Sequence, residues 1–169
     1  MDEIVNKVAN SPLITFNLED YYDQSETVAF DMKEHLFQGL ILREKDFRGF
    51  IKSHDWSSYE NKNVALFCSA DAIVPTWAYM LVANKLSGIA SYVYYGSESD
   101  MQQAIILNKL SSLDIESFRD KMIVVKGCST FEVPIGAYVA ITEMLTPVAK
   151  SIMFGEPCST VPIYKKKRA

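Results

Sequence analysis

Cysteine and histidine are scarce in this chain, and the familiar catalytic motifs are missing. The 169 residues include three cysteines and two histidines. No Gly-x-Gly-x-x-Gly, Walker loop, Gly-x-Ser-x-Gly or His-Glu-x-x-His segment occurs, and there is no Cys-x-x-Cys pair. A nucleotide-dependent enzyme is therefore unsupported, and the sulfur pair typical of zinc ribbons and of many redox proteins is absent.

Long apolar runs are absent as well. The longest, from Val74 to Ala83, is too short to span a bilayer. The acidic start Met1-Asp2-Glu3 is not followed by the apolar region of a signal peptide. We therefore expect a cytoplasmic protein with reduced thiols and no membrane partner. An odd number of cysteines then argues against a disulfide framework and favours metal or thiol chemistry.

The positive charge of the chain is concentrated near its end. The net charge is −4, and residues 165–168 carry four consecutive cations. They leave 13 Lys and Arg against 21 Asp and Glu in the rest of the chain. Such an acidic body makes nucleic-acid binding unexpected. We interpret residues 159–169 as a solvated basic tail.

Strand and helix patterns alternate from residue 64 onwards. Continuous apolar runs predict buried strands at 64–67, 89–95, 122–125 and 151–154, with helices at 75–86, at 100–110 and from 134 to about 145. Before them, residues 1–63 form an N-terminal β-containing extension. It has a short helix over 1–11 and strands at 13–18 and 27–31, connected as a hairpin. We predict one α/β domain over 1–169, three-layered, with a mainly parallel four-strand core over 64–158.

All three cysteines lie in one repeated phrase, in which Cys-Ser is followed by a spacer and then Val-Pro. The phrase begins at Cys68, at Cys128 and at Cys158. The first two copies continue alike, as Pro-Thr-Trp-Ala-Tyr and Pro-Ile-Gly-Ala-Tyr. In each case a predicted strand precedes the phrase. The repetition indicates a shared site and weakens the simpler interpretation that each cysteine is a small buried apolar residue.

The three cysteines would meet at one site if the four predicted core strands, numbered 1 to 4 in chain order from 64–67 to 151–154, have the order 2-1-3-4 in the sheet. Ligands of open parallel sheets bind beyond the carboxyl ends of the strands, and in this order Cys68, Cys128 and Cys158 follow three adjacent strands. Thiols at adjacent strand ends, about 4.8 Å apart, can share one ion. We predict ligation of zinc or an iron–sulfur cluster by the three cysteines, with Glu156 or Asp71 as a further ligand.

Two other functions stay open at this point. Lys126, two residues before Cys128, would stabilise a thiolate, which favours a sulfur-transfer or redox protein. Alternatively, the chain is a non-catalytic interaction subunit, such as a homodimer, in which the cysteines are structural. His54 is expected to end a helix and not to bind metal.

The chain resembles an uncharacterised family of Bacteroidetes, domain of unknown function 2480. The resemblance lies in residues 66–80, 126–138 and 148–164, and extends to 39–47 and to His54-Asp55-Trp56. It implies a bacterial cytoplasmic protein and transfers no catalytic residue. It also implies iron–sulfur assembly proteins as partners, since genes of this family lie near genes for such assembly.

Overall fold

The computed structural model of the chain describes residues 13–126 and 130–167. The helix predicted over 1–11, Cys128 and Arg168 lie outside this part. In chain order the strands are β1 Leu13–Asn17, β2 Thr27–Asp31, β3 Asn63–Phe67, β4 Tyr92–Tyr95, β5 Met122–Lys126, β6 Ser151–Glu156 and β7 Ser159–Lys165. The α-helices are α1 Glu44–Ser53, α2 Thr76–Leu86, α3 Glu98–Ser111 and α4 Ile135–Leu145.

The chain divides into two compact units. Unit 1 comprises Met1–Asp23 and Gln102–Ala169, and unit 2 comprises Gln24–Met101. Unit 2 is therefore inserted, in sequence, between the first strand of unit 1 and the rest of that unit. The expectation that the whole chain is one domain stays a prediction.

Unit 2 contains a three-stranded parallel sheet in the order β2-β3-β4. Its central strand is buried because Val64 and Leu66 face α1 and α2, where they pack with residues of both helices. Helix α1 contributes Phe47 and Ile51, at a spacing of one helical turn. Both helices pack on one face of the sheet, as right-handed crossovers in one direction require.

Unit 1 contains a four-stranded sheet in the order β1-β5-β6-β7. The first three strands are parallel, and β7 pairs antiparallel with β6. Ile123 of β5 and Ile152 of β6 lie opposite each other and pack against α3 and α4 in one core. Each unit by itself therefore contains a sheet with helices on one of its faces. The three layers predicted for the whole chain stay a prediction.

The two units repeat the same arrangement. Each has a strand, a 3-10 helix, an α-helix, a second 3-10 helix, a central strand, a second α-helix and a third strand. The second helices bury the same positions, spaced by four residues: Ala78, Val82 and Leu86 in α2, and Ala137, Ile141 and Leu145 in α4. The repeated phrase of the sequence thus reflects, in its first two copies, a repeated supersecondary structure.

The α/β class and the mainly parallel four-strand sheet are confirmed. The predicted strand order 2-1-3-4 is wrong. It makes the strands at 63–67 and 122–126 neighbours, but they belong to different sheets. The expected hairpin is also wrong: β1 and β2 enter different sheets and pair parallel with β5 and β3. Residues 159–165, expected in a solvated tail, form β7, and the Lys166 ammonium lies 2.9 Å from the Asp120 carboxylate.

One consequence of the unit 2 core is a pH-dependent stability. The His35 ring stacks on Phe30 and packs against Phe50 at a tilt, with centroids 5.3 and 4.0 Å away. Burial, together with the charge of His54, lowers the pKa of His35 below 6.5. The unfolded chain therefore takes up this proton at a higher pH than the folded chain does. We expect stability to fall as the pH drops through 6.5 and to level off below the folded-state pKa.

Urea unfolding of the wild type and of His35→Phe between pH 7.5 and 5 measures this effect. The variant keeps an aromatic ring and loses the titration, so its stability should fall less over this interval. Equal pH dependence of the two proteins would show that His35 does not contribute.

Candidate functional site

The first Cys-Ser loop, residues 68–75, follows the carboxyl end of β3 in unit 2. Cys68 is half-buried, and its thiol points to the carbonyl oxygen of Ala70, at 3.6 Å. Asp71, predicted as a ligand, is exposed in the same loop. The loop ends at Pro75, which precedes α2 and suits the start of a helix because its missing N–H is not needed there.

Asp31, the last residue of β2, holds this loop to the sheet. Its carboxylate accepts hydrogen bonds from the N–H and the hydroxyl of Ser69 and from the N–H of Lys33. Partial desolvation would raise the pKa of Asp31, but the hydrogen bonds outweigh it and hold the pKa below its ordinary value. The residue after Cys68 is thus attached to a carboxylate that is charged at neutral pH.

Tyrosines flank the same strand ends. Tyr79 of α2 meets Tyr95, the last residue of β4, edge to face at 5.2 Å. Burial raises the pKa of Tyr79, and the neighbouring Tyr95, Cys68 and Asp31 raise it further. The phenol of Tyr79 therefore stays neutral and available as a hydrogen-bond donor at physiological pH.

The second Cys-Ser phrase follows β5 in sequence, and its described part, residues 130–134, precedes α4 in unit 1. Cys128 lies outside the described residues, but the end of the loop is held by a carboxylate, as in unit 2. Glu19 accepts hydrogen bonds from the N–H groups of Thr130 and Phe131, at 2.7 and 3.1 Å. The Phe131 ring stacks on Tyr22 at 4.7 Å. Tyr138 and Phe154 reproduce the edge-to-face pair of unit 2, at 5.7 Å.

An ion pair lies at the carboxyl ends of β5 and β6. The Lys126 ammonium is 3.2 Å from the Glu156 carboxylate, and each is the last residue of its strand. Cys158 is exposed in the turn that connects β6 to β7. The third copy of the phrase is therefore a hairpin and not the expected strand–loop–helix. Gly155 permits it: its φ is +120°, and an added Cβ would lie 2.6 Å from the Ser159 carbonyl oxygen.

The predicted ligands are distributed over two sheets. Cys68 and Asp71 belong to unit 2, whereas Cys158 and Glu156 belong to unit 1. The adjacency along one sheet on which the three-cysteine site was predicted does not occur, because β3 and β5 are in different sheets. Within residues 13–126 and 130–167, no three His, Cys, Asp or Glu side chains are grouped so as to hold a metal ion. Ligation that includes Cys128 stays a prediction.

Sequence analysis missed the two carboxylates that hold the loops. Asp31 and Glu19 are far from their loops in sequence, and their role depends on the pairing of β2 with β3 and of β1 with β5. The signal was a second internal repeat, Thr-Phe-Asn-Leu at 15–18 and Ala-Phe-Asp-Met at 29–32. Asn17 and Asp31 both accept a hydrogen bond from the N–H two residues later.

Within the part of the chain that the structure describes, no helix is both long and apolar enough to cross a bilayer.

Comparison with curated proteins and with solved structures gave no significant match. A family model does match, and it covers residues 2–166, both sheets and all three copies of the phrase included. Its description is a protein of unknown function, DUF2480. The chain therefore belongs to the DUF2480 family.

Proposed function

We propose that the chain is a thiol-based redox or sulfur-transfer protein whose working cysteines are Cys128 and Cys158. The observation that carries the proposal is the pairing of β5 with β6 as parallel neighbours. Each cysteine follows the last residue of its strand by two positions, after Lys126 and after Glu156. Since paired strands are about 4.8 Å apart, the two strands that precede these cysteines in sequence end side by side.

The charge at these strand ends supports thiolate chemistry more than metal chemistry. The Lys126 ammonium ends β5, two residues before Cys128 in sequence, and favours an anion near it. It also neutralises Glu156, which makes that carboxylate a weaker ligand for a cation. In the proposed reaction, one thiolate attacks an exogenous disulfide and releases one thiolate leaving group. The other cysteine thiolate then attacks the mixed disulfide, so that the protein thiols are oxidised and the exogenous disulfide is reduced to two thiols.

Oxidation with glutathione disulfide, followed by peptide mass spectrometry, tests this function. We expect a Cys128–Cys158 disulfide in the wild type and in Cys68→Ser, and a stable mixed disulfide in Cys158→Ser. The matched variant Cys68→Ser controls for the third thiol. Lys126→Gln should slow the reaction several-fold, because the thiolate loses a nearby positive charge. A disulfide that always includes Cys68, or no reaction faster than that of a free thiol, would overturn the proposal.

Metal binding is a second candidate, favoured by Glu156, a carboxylate that ends β6 two residues before Cys158. Zinc or an iron–sulfur cluster would be held there by Cys128, Cys158 and Glu156, and the participation of Cys68 and Asp71 stays a prediction. Metal and sulfide analysis after anaerobic purification decides it. We expect about one zinc or one cluster per chain in the wild type and a loss of more than half in Cys128→Ala. Equal substoichiometric metal in both proteins would exclude this function.

Each of the candidate functions implies a different partner. Iron–sulfur assembly proteins are the proposed partners if a cluster is bound, and a cytoplasmic location suits reduced thiols. A second copy of the chain is the proposed partner if it is an interaction subunit.

A further inference from the structure

We infer that Gln102 is a clamp that closes unit 1 at the point where unit 2 is inserted, so that unit 2 can open while unit 1 remains folded. The chain leaves unit 1 after Asp23 and returns to it at Gln102. These two residues are joined by hydrogen bonds, and the inference rests on that juxtaposition. It is independent of the thiol chemistry proposed above.

The side chain of Gln102 binds the backbone of Asp23 twice. Its amide nitrogen donates to the Asp23 carbonyl oxygen at 2.8 Å, and its amide oxygen accepts from the Asp23 N–H at 3.3 Å. The Lys109 ammonium, about two turns further along α3, lies 3.8 Å from the Asp23 carboxylate. Asp23 is thus attached to α3 through its backbone and through its side chain.

The position of Gln102 on α3 is one where an apolar residue would be expected. Gln102 is 7% exposed and lies four and eight residues before Ile106 and Leu110, which pack in the core of unit 1. A buried amide on this apolar stripe costs free energy unless it is hydrogen-bonded. Asp23 binds its oxygen and one of its N–H groups, and so the clamp explains why a polar residue stands here.

The residues just before Asp23 are also held within unit 1. The Tyr22 N–H donates to the Glu19 carbonyl oxygen at 3.0 Å. The Tyr22 ring stacks on Phe131, with centroids 4.7 Å apart. The clamp therefore lies at the end of a segment that is anchored in unit 1.

The passage into unit 2 consists of residues 24–26, which are exposed. At its far side the Glu26 carbonyl oxygen accepts a hydrogen bond from the N–H of Asn63, within unit 2, at 2.8 Å. Local opening proceeds in contiguous cooperative segments. Because the clamp joins the two residues that bracket 24–101, an opening of unit 2 ends at the clamp and does not loosen the segment before Asp23.

Hydrogen exchange by mass spectrometry on four full-length proteins tests the clamp: the wild type, Leu86→Ala, Gln102→Met and the double variant. Methionine is unbranched like glutamine and suits the buried stripe, but it has no N–H to donate, so the variant should fold. We expect Leu86→Ala alone to leave exchange in residues 18–23 unchanged. Added to Gln102→Met, the same substitution should speed exchange there at least tenfold.

Gln103→Met is the matched control. Gln103 is the next residue of α3, and its side chain lies against Gly136 of α4. With this variant, Leu86→Ala should leave exchange in residues 18–23 as slow as in the wild type.

Four results would overturn the clamp. Leu86→Ala alone could speed exchange in residues 18–23 as much as in unit 2, or it could have no effect there even in the Gln102→Met background. Gln103→Met could act as Gln102→Met does. Finally, a Gln102→Met chain without a near-ultraviolet circular dichroism signal would show that Gln102 is needed for the whole fold and not for its division into two units.

Discussion

Replacing Leu86 or Leu145 by alanine should destabilise the folded chain by about 2–5 kcal/mol, the usual cost of a leucine-sized cavity in a core. Both leucines are fully buried, and each is the last residue of the second helix of its unit. They belong to different cores, one in unit 2 and one in unit 1. The two substitutions are therefore matched in position and differ in the unit that they affect.

Hydrogen exchange measured by mass spectrometry should localise the two effects. Leu86→Ala should speed exchange first in α1, α2 and β3, and Leu145→Ala first in α4, β5 and β6. This pattern would show that each unit opens around its own core. Acceleration that extends equally over both units in either variant would instead support the single cooperative domain that the sequence predicts.

Replacing Asp31 by alanine should raise the rate of Cys68 alkylation about tenfold, because the Cys-Ser loop loses roughly 1.5 kcal/mol of hydrogen bonding to a charged group. In the wild type the carboxylate accepts three hydrogen bonds, two of them from Ser69, the residue next to Cys68. Without them the loop opens more often, and the half-buried thiol becomes accessible.

Alkylation at neutral pH, with each cysteine followed by mass spectrometry, measures the change. Glu19→Ala is the matched control, since it removes the corresponding carboxylate of unit 1 and should leave Cys68 unaffected. The lowered pKa of Asp31 means that its contribution to stability is complete above the unfolded-state value of 3.8 and is lost as the pH falls through the folded-state value. If Asp31→Ala and the wild type react equally fast, Asp31 does not hold the loop.

The elements of the fold were predictable because their signals are local. The continuous apolar run at 64–67 and the Met-Ile-Val-Val run at 122–125 predict strands buried on both faces, and both are central strands. Helix α2 begins after Pro75, as a proline at a helix start predicts. Strand β7 was missed because its terminal Lys165 and its Pro162, which is tolerated on an edge strand, are also typical of a tail.

Strand neighbours could not be predicted, because a buried apolar run shows that a strand is covered but not which strand lies beside it. A helical crossover of ordinary length fits several parallel orders. This error affected the candidate site most. The predicted order placed the strand before Cys68 beside the strand before Cys128. That second strand, β5, instead pairs with β1, far earlier in the chain. The β5–β6 adjacency was part of the predicted order and is confirmed.

The sequence by itself determined the α/β class, the limits of most helices and strands, and the placing of Cys-Ser loops after two central strands. These depend on periodicity, turn residues and proline geometry, which act over a few residues. The tertiary structure alone decided that the chain forms two sheets and not one, that Asp31 and Glu19 hold the loops, and that Lys126 pairs with Glu156. Those facts depend on contacts between residues distant in sequence, and such contacts are selected by the packing of whole elements.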